Sequence, residues 1–183
     1  VTYYDTSGTV VPAPAPLAPG AVPPDSAIAS SREFEHKGEA AFKAGNYEEA
    51  VYAWRHAVVD DPTDTMLVMQ LGLALFASGK FGESAGATQA AMHQLPNDQW
   101  GIVVKRYAEF YGDAREYTRH LKALEKAIVA TPNDPALRFL MGFHYGYLGF
   151  SKQAIEQLDR AVEIESRDEM SKRLRDEFAG KTG

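Results

Sequence analysis

The chain has 183 residues, room for one domain with a substantial core, and its 45% hydrophobic and 24% charged content belongs to a globular protein, not a disordered chain. A net charge of −6 and a pI near 5.4 speak against a basic surface for nucleic acid, and the lack of cysteine excludes disulfides, thiolate metal sites and thiol nucleophiles. No stretch comes near the roughly 18 apolar residues that a membrane-spanning helix needs.

Residues 1–30 hold six of the ten prolines (Pro12, Pro14, Pro16, Pro19, Pro23, Pro24) and only two charges, Asp5 and Asp25. Such a Pro/Ala-rich run favours extended conformations and forms neither a helix nor a central strand, so it reads as an arm or linker. Tyr3, Tyr4, Val10, Val11, Leu17 and Val22 are apolar handles that a pure spacer does not need. The chain starts at Val, which reads as a trimmed piece, and a leader of this composition resembles the tether of exported or cell-envelope proteins of bacteria.

From Ser31 the chain repeats itself. Gly38, Gly45, Tyr47, Ala50, Trp54, Ala57 and Pro62 align with Gly72, Gly79, Phe81, Ser84, Thr88, Ala91 and Pro96 at a spacing of 34. A spacing of 36 then gives Ala108, Arg115, Tyr117, His120, Leu124, Ala127 and Pro132, and a further 34 gives Gly142, Gly149, Ser151, Ala154, Leu158, Ala161 and Ser166. The units run over about 31–64, 65–98, 101–134 and 135–168, with two extra residues near Asp98 to Trp100. Each unit predicts two helices with small residues where they cross. A glycine marks the turn between them except in the third unit, which has Arg115, and a proline stops the second helix of the first three. Neither helix can bury its apolar face alone, so adjacent pairs must stack. Over 167–178, Met170, Leu174 and Phe178 share one face of a capping helix whose other face is charged.

These residues resemble the tetratricopeptide repeat (TPR), a 34-residue helix–turn–helix unit. The resemblance covers about Ser31–Ser166 and implies an all-α fold: a right-handed α-solenoid of four repeats and a capping helix over 31–183. It further implies a non-enzymatic scaffold that binds a protein or peptide segment on the face of the first helices, without a cofactor.

Chemistry-bearing patterns are few. Gly82-Glu83-Ser84-Ala85-Gly86 matches G-x-S-x-G, but a hydrolase needs that serine on a strand-to-helix turn, and here it falls where the repeat packs a small residue. The five histidines form no H-x-x-x-H pair, and the acidic residues of the first unit read as a solvated face with pairs such as Glu33–Lys37 and Glu39–Lys43. Gly142 and Gly146 read as close helix packing. Chaperone-binding TPR proteins clamp a terminal carboxylate with Lys and Asn on the first helices. The matching positions here are Glu35, Glu39, Gln70, Ile102 and Arg106, and the first two would repel that group.

The second unit carries only three charges, Lys80, Glu83 and Asp98. Carried over by position, the partner-holding face that the resemblance implies has an apolar strip of Met66, Met69, Leu73, Phe76, Phe139, Phe143 and Tyr147, which either stands open for an extended, partly apolar ligand oriented by Lys105 and Arg106, or packs on itself within a tight superhelix. The alternative occupant is the chain's own Pro-rich arm, folded back in cis or exchanged in a homo-oligomer.

Overall fold

The structure, a computed structural model, describes residues 23–180 and the backbone of two short strands, β1 (Tyr3–Tyr4) and β2 (Val10–Val11). The strands pair antiparallel, with Tyr3 opposite Val11 and Tyr4 opposite Val10. The rest of the arm as far as residue 22 lies outside the described residues.

Helix α1 (Asp25–Lys43) starts six residues before the expected boundary at 31. The last proline of the arm, Pro24, sits at the N-cap, where its missing amide costs nothing. The following DSAIAS has no breaker and puts Asp25 at the positive end of the helix dipole. Helices α2 (Tyr47–Asp60), α3 (Thr65–Ala77) and α4 (Phe81–Gln94) follow. After a 3₁₀ turn (Asn97–Gln99) come two one-turn helices, α5 (Ile102–Lys105) and α6 (Tyr107–Phe110), then α7 (Ala114–Ala130). Helices α8 (Pro135–Tyr147), α9 (Ser151–Ile164) and α10 (Glu169–Gly180) complete the order.

Three pairs, α1/α2, α3/α4 and α8/α9, are antiparallel hairpins, each turned by a glycine at positive φ: Gly45 at 82°, Gly79 at 78° and Gly149 at 92°. Within two of the hairpins the close approach requires glycine, since a Cβ on Gly38 would sit 2.5 Å from the Trp54 ring and one on Gly142 2.6 Å from Leu158. Asp64 and Asp134 start α3 and α8 by accepting backbone N–H bonds at 2.9 Å from Met66 and Ala136. The second helices stop before Pro62, Pro96 and Pro132, as expected. The cap is present as well: α10 packs on α9 and buries Met170, Leu174 and Phe178.

The domain is an all-α, TPR-type solenoid of paired helices with a terminal helix, but its third unit does not stand in the row. Helix α3 packs on α2, and α8 packs directly on α4, so the fourth unit follows the second. The expected first helix of unit three is instead split at Arg106, whose φ of −111° and ψ of 21° interrupt it. Two departures from the repeat lie on either side of this segment. Extra residues precede it, and Arg115 stands where the other units have their turn glycine, with Asp113 capping a freshly started α7 through the Arg115 N–H at 2.9 Å. Ala108, at the position of a crossing residue, is exposed.

Candidate functional site

The first helices α1, α3 and α8 form one face, and the displaced third unit lies on it. Helix α5 packs against α3 and α8, α6 against α1, and α7 against α3 and α8. Trp100 opens this segment, fully buried, donating from Nε1 to the Leu95 carbonyl at 3.0 Å with the Arg173 guanidinium 4.9 Å from its ring. Gly101 lies flat on Tyr147, where a Cβ would stand 2.1 Å from the ring. Val103 and Val104 are buried behind it, and the Lys105 ammonium sits 5.1 Å over Tyr147. At the far end Tyr111 meets Phe42 edge-on at 4.8 Å, and Gly112 abuts the Lys43 carbonyl.

Helix α7 adds an aromatic layer. Tyr117 and His120 reach Phe76, which stacks on His144 at 4.0 Å, and Tyr117 Oη and His144 Nδ1 share a hydrogen bond of 2.7 Å. Burial pushes the His144 pKa down to about 3, and the Tyr111, Tyr117 and Tyr147 phenols far above their usual value. Half-buried His120 is also held below its ordinary value by burial. Around neutral pH this layer is uncharged, which suits it to packing and not to proton transfer.

The expected open strip is therefore closed. Met69, Leu73, Phe76, Phe139 and Phe143 are at most 2% exposed and Tyr147 8%. The reason is physical: Trp100, Val103, Val104 and Tyr111 bring their own apolar surface to that face and are buried there. Of the nine residues, Met66 is half-buried and only Lys105 and Arg106 are exposed. Sequence reasoning missed Trp100, Val103, Val104, Tyr111 and Tyr117. The extra residues and the missing turn glycine were the available signal. Of the competing occupant, the arm over 1–30, residues 25–30 belong to α1, and the rest lies outside the described residues apart from the strand backbones and the prolines at 23 and 24.

One part of the face remains uncovered. A cleft of about 380 Å³ lies between α1, α3 and α6, with Phe42, Trp54 and Gln70 among its inner residues and Glu39, Lys43, Arg106, Glu109 and Phe110 also lining it. It gathers three of the five clamp positions, Glu39, Gln70 and Arg106. Arg106 is already committed, donating from Nε to Glu109 at 2.8 Å in a forked pair that also holds the Glu109 carboxyl below its usual range. Glu39 faces His36 at 3.5 Å in place of the expected Lys43, whereas Glu33–Lys37 forms as expected at 2.7 Å. Two buried polar atoms beside the cleft, Trp54 Nε1 and Gln70 Oε1, have no hydrogen-bond partner among the described residues. Leaving such a group unmet costs about 1–3 kcal/mol.

Elsewhere the chemistry is structural. Ser84 lies inside α4, fully buried, and donates to the Gly72 carbonyl at 2.7 Å across the hairpin; it presents no nucleophile. A wider cleft of about 700 Å³ between α4, α8 and α10 is bridged by Gln89, which donates to Asp168 at 3.1 Å. Among the described residues no three His, Asp or Glu side chains stand together to hold a metal ion, and no helix is long and apolar enough to cross a membrane.

No protein-family model and no curated protein matches the chain. Solved structures similar to it include the TPR domain of Arabidopsis OM64, at 13% identity over 85% of this chain and 98% of that one, with a TM-score of 0.37. The first TPR domain of human RPAP3 gives 15% identity, 82% and 91% coverage and a TM-score of 0.38. MamA from Desulfovibrio magneticus RS-1 gives 19%, 78% and 79%, and 0.37. At TM-scores below 0.5 these likenesses carry no conclusion about this chain.

Proposed function

We propose that this protein is a non-enzymatic protein-interaction module that receives an extended, partly apolar segment of a partner on the face of α1, α3 and α8. The observation that carries the reading is the filling of that face: residues 100–111 present Trp100, Val103, Val104 and Tyr111 as apolar anchors, which is what a bound segment would do. A foreign segment first meets the cleft beside α1, which Arg106 lines, while Lys105 lies over Tyr147 further along the face. It reaches Met69, Leu73, Phe76, Phe139, Phe143 and Tyr147 only as α5 and α6 withdraw. The apparent affinity is then the intrinsic affinity reduced by the fraction of molecules with the face open.

Random-peptide display against the full chain and against Val104→Asp tests this. An aspartate at that buried position expels α5, because an unpaired charge is costly to bury. Peptides with two or three apolar anchors are expected to bind both proteins, and the variant at least about tenfold more tightly. Absence of binding to either protein, with helical content intact in both, contradicts the reading.

A further inference from the structure

We propose that the cleft between α1, α3 and α6 binds an amide group, with Trp54 Nε1 donating to the amide oxygen and Gln70 Oε1 accepting from the amide N–H. The amide is a peptide unit or a primary carboxamide side chain of the partner segment, so this inference rests on the protein-binding reading and supplies the chemistry of its first contact.

Two buried groups without partners, one a donor and the other an acceptor, border the same cleft. Trp54 is fully buried and Gln70 only 7% exposed. An indole N–H can only donate, and a carbonyl oxygen can only accept. An amide answers both with its own C=O and N–H. With the Gln70 amide turned as it is here, a carboxylate offers no hydrogen to its Oε1, and an ammonium offers no acceptor to Trp54. The charges lining the cleft favour a neutral ligand too, since Glu39 and Glu109 balance Lys43 and Arg106, and Arg106 is spent on Glu109. Three aromatic rings, Phe42, Trp54 and Phe110, line the same space and suit a flat group.

The two polar atoms are shut from water, so solvent at the mouth does not satisfy them. The wall that yields is α6, a single turn with Ala108 and Glu109 exposed. An amide therefore reaches both atoms only as α6 gives way, which makes its entry the first step of the third unit's outward movement.

The chain has two tryptophans, so its indole N–H groups give two nuclear magnetic resonance signals. Trp100 Nε1 is bonded to Leu95 and serves as an internal reference. The full chain is titrated with N-methylacetamide, which imitates a peptide unit, with propionamide, and with propionate and propanol as controls. The expected result is a saturable shift of the Trp54 signal with an amide while Trp100 stays still, weakened about tenfold or more by Gln70→Leu. The amide that saturates at lower concentration identifies the source. Equal shifts with propionate or propanol, parallel drift of both signals, or an unchanged titration in folded Gln70→Leu overturns the proposal. Should that variant fail to fold, the comparison of amides with propionate and propanol on the unaltered chain decides. Displayed peptides that bind without moving the Trp54 signal leave the protein-binding reading standing and overturn this one; amide binding without any peptide binding does the reverse.

Discussion

His144 shows how much a single side chain in the filled face controls. Its imidazole is fully buried against Phe76 and Tyr117 and stays neutral, with a pKa pushed down to about 3, while in the unfolded chain it titrates near 6.5. Below about pH 6.5 the unfolded chain takes up a proton that the folded chain refuses. Its contribution is therefore complete above that pH and is lost as pH falls towards 3, by about 2 kcal/mol at pH 5. Urea unfolding at pH 7.5 and 5 should show that drop, and His144→Gln should remove it. An equal slope in the variant would assign the pH dependence to other groups. Two glycines make a second contrast at this scale. Gly86 lies in α4 with open space around its Cα, so Gly86→Ala should raise stability by up to about 1 kcal/mol. Gly101→Ala drives a methyl into the Tyr147 ring and should lower it by about 1–3 kcal/mol. Thermal unfolding of the two variants reads both signs.

At the scale of elements, the ends of helices carry more information than their middles. The turn glycines, the stopping prolines and the crossings at Gly38 and Gly142 were readable because each answers a local steric demand within one repeat. The face of α10 was readable for the same reason, since the spacing of Met170, Leu174 and Phe178 admits one buried side. Its start depends on Asp168, which accepts from the Ser171 backbone N–H at 3.0 Å and from Gln89 at 3.1 Å. Asp168→Ala should cost about 1–2 kcal/mol, with the early loss of structure at α10 visible in hydrogen exchange. Uniform destabilisation without preferential exposure of α10 would show that the cap is held by packing alone.

At the scale of the whole molecule, the repeat pattern and the packing order part company in the third unit. Periodicity reports which residues of a helix share a face, not which neighbour that face meets. Tyr117 and Leu124, and Pro132 just beyond the helix end, therefore keep the repeat spacing in a unit that has left the row. The apolar strip from Met69 to Tyr147 was read from the pattern as an open ligand face, and it is buried instead. That its cover comes from Trp100, Val103, Val104 and Tyr111 is a long-range fact that no local window contains. The cleft beside Gln70 was legible only as scattered clamp positions, since its unmet partner, Trp54, belongs to a helix that pattern alone assigns to the core.

The central claim, that the third unit covers the face of the first helices, is tested most directly by hydrogen exchange resolved to single residues. The Trp100 indole N–H is bonded to the Leu95 carbonyl at the end of α4, and the backbone amides of Val104, Lys105 and Arg106 are hydrogen-bonded within the covering segment. Their protection is expected to be well above that of an unstructured chain, and to fall together in Val104→Asp while α3 and α8 stay folded. Exchange of these four groups at unprotected rates in the unaltered chain, with α3 and α8 still protected, would mean that the face stands open and the account is wrong.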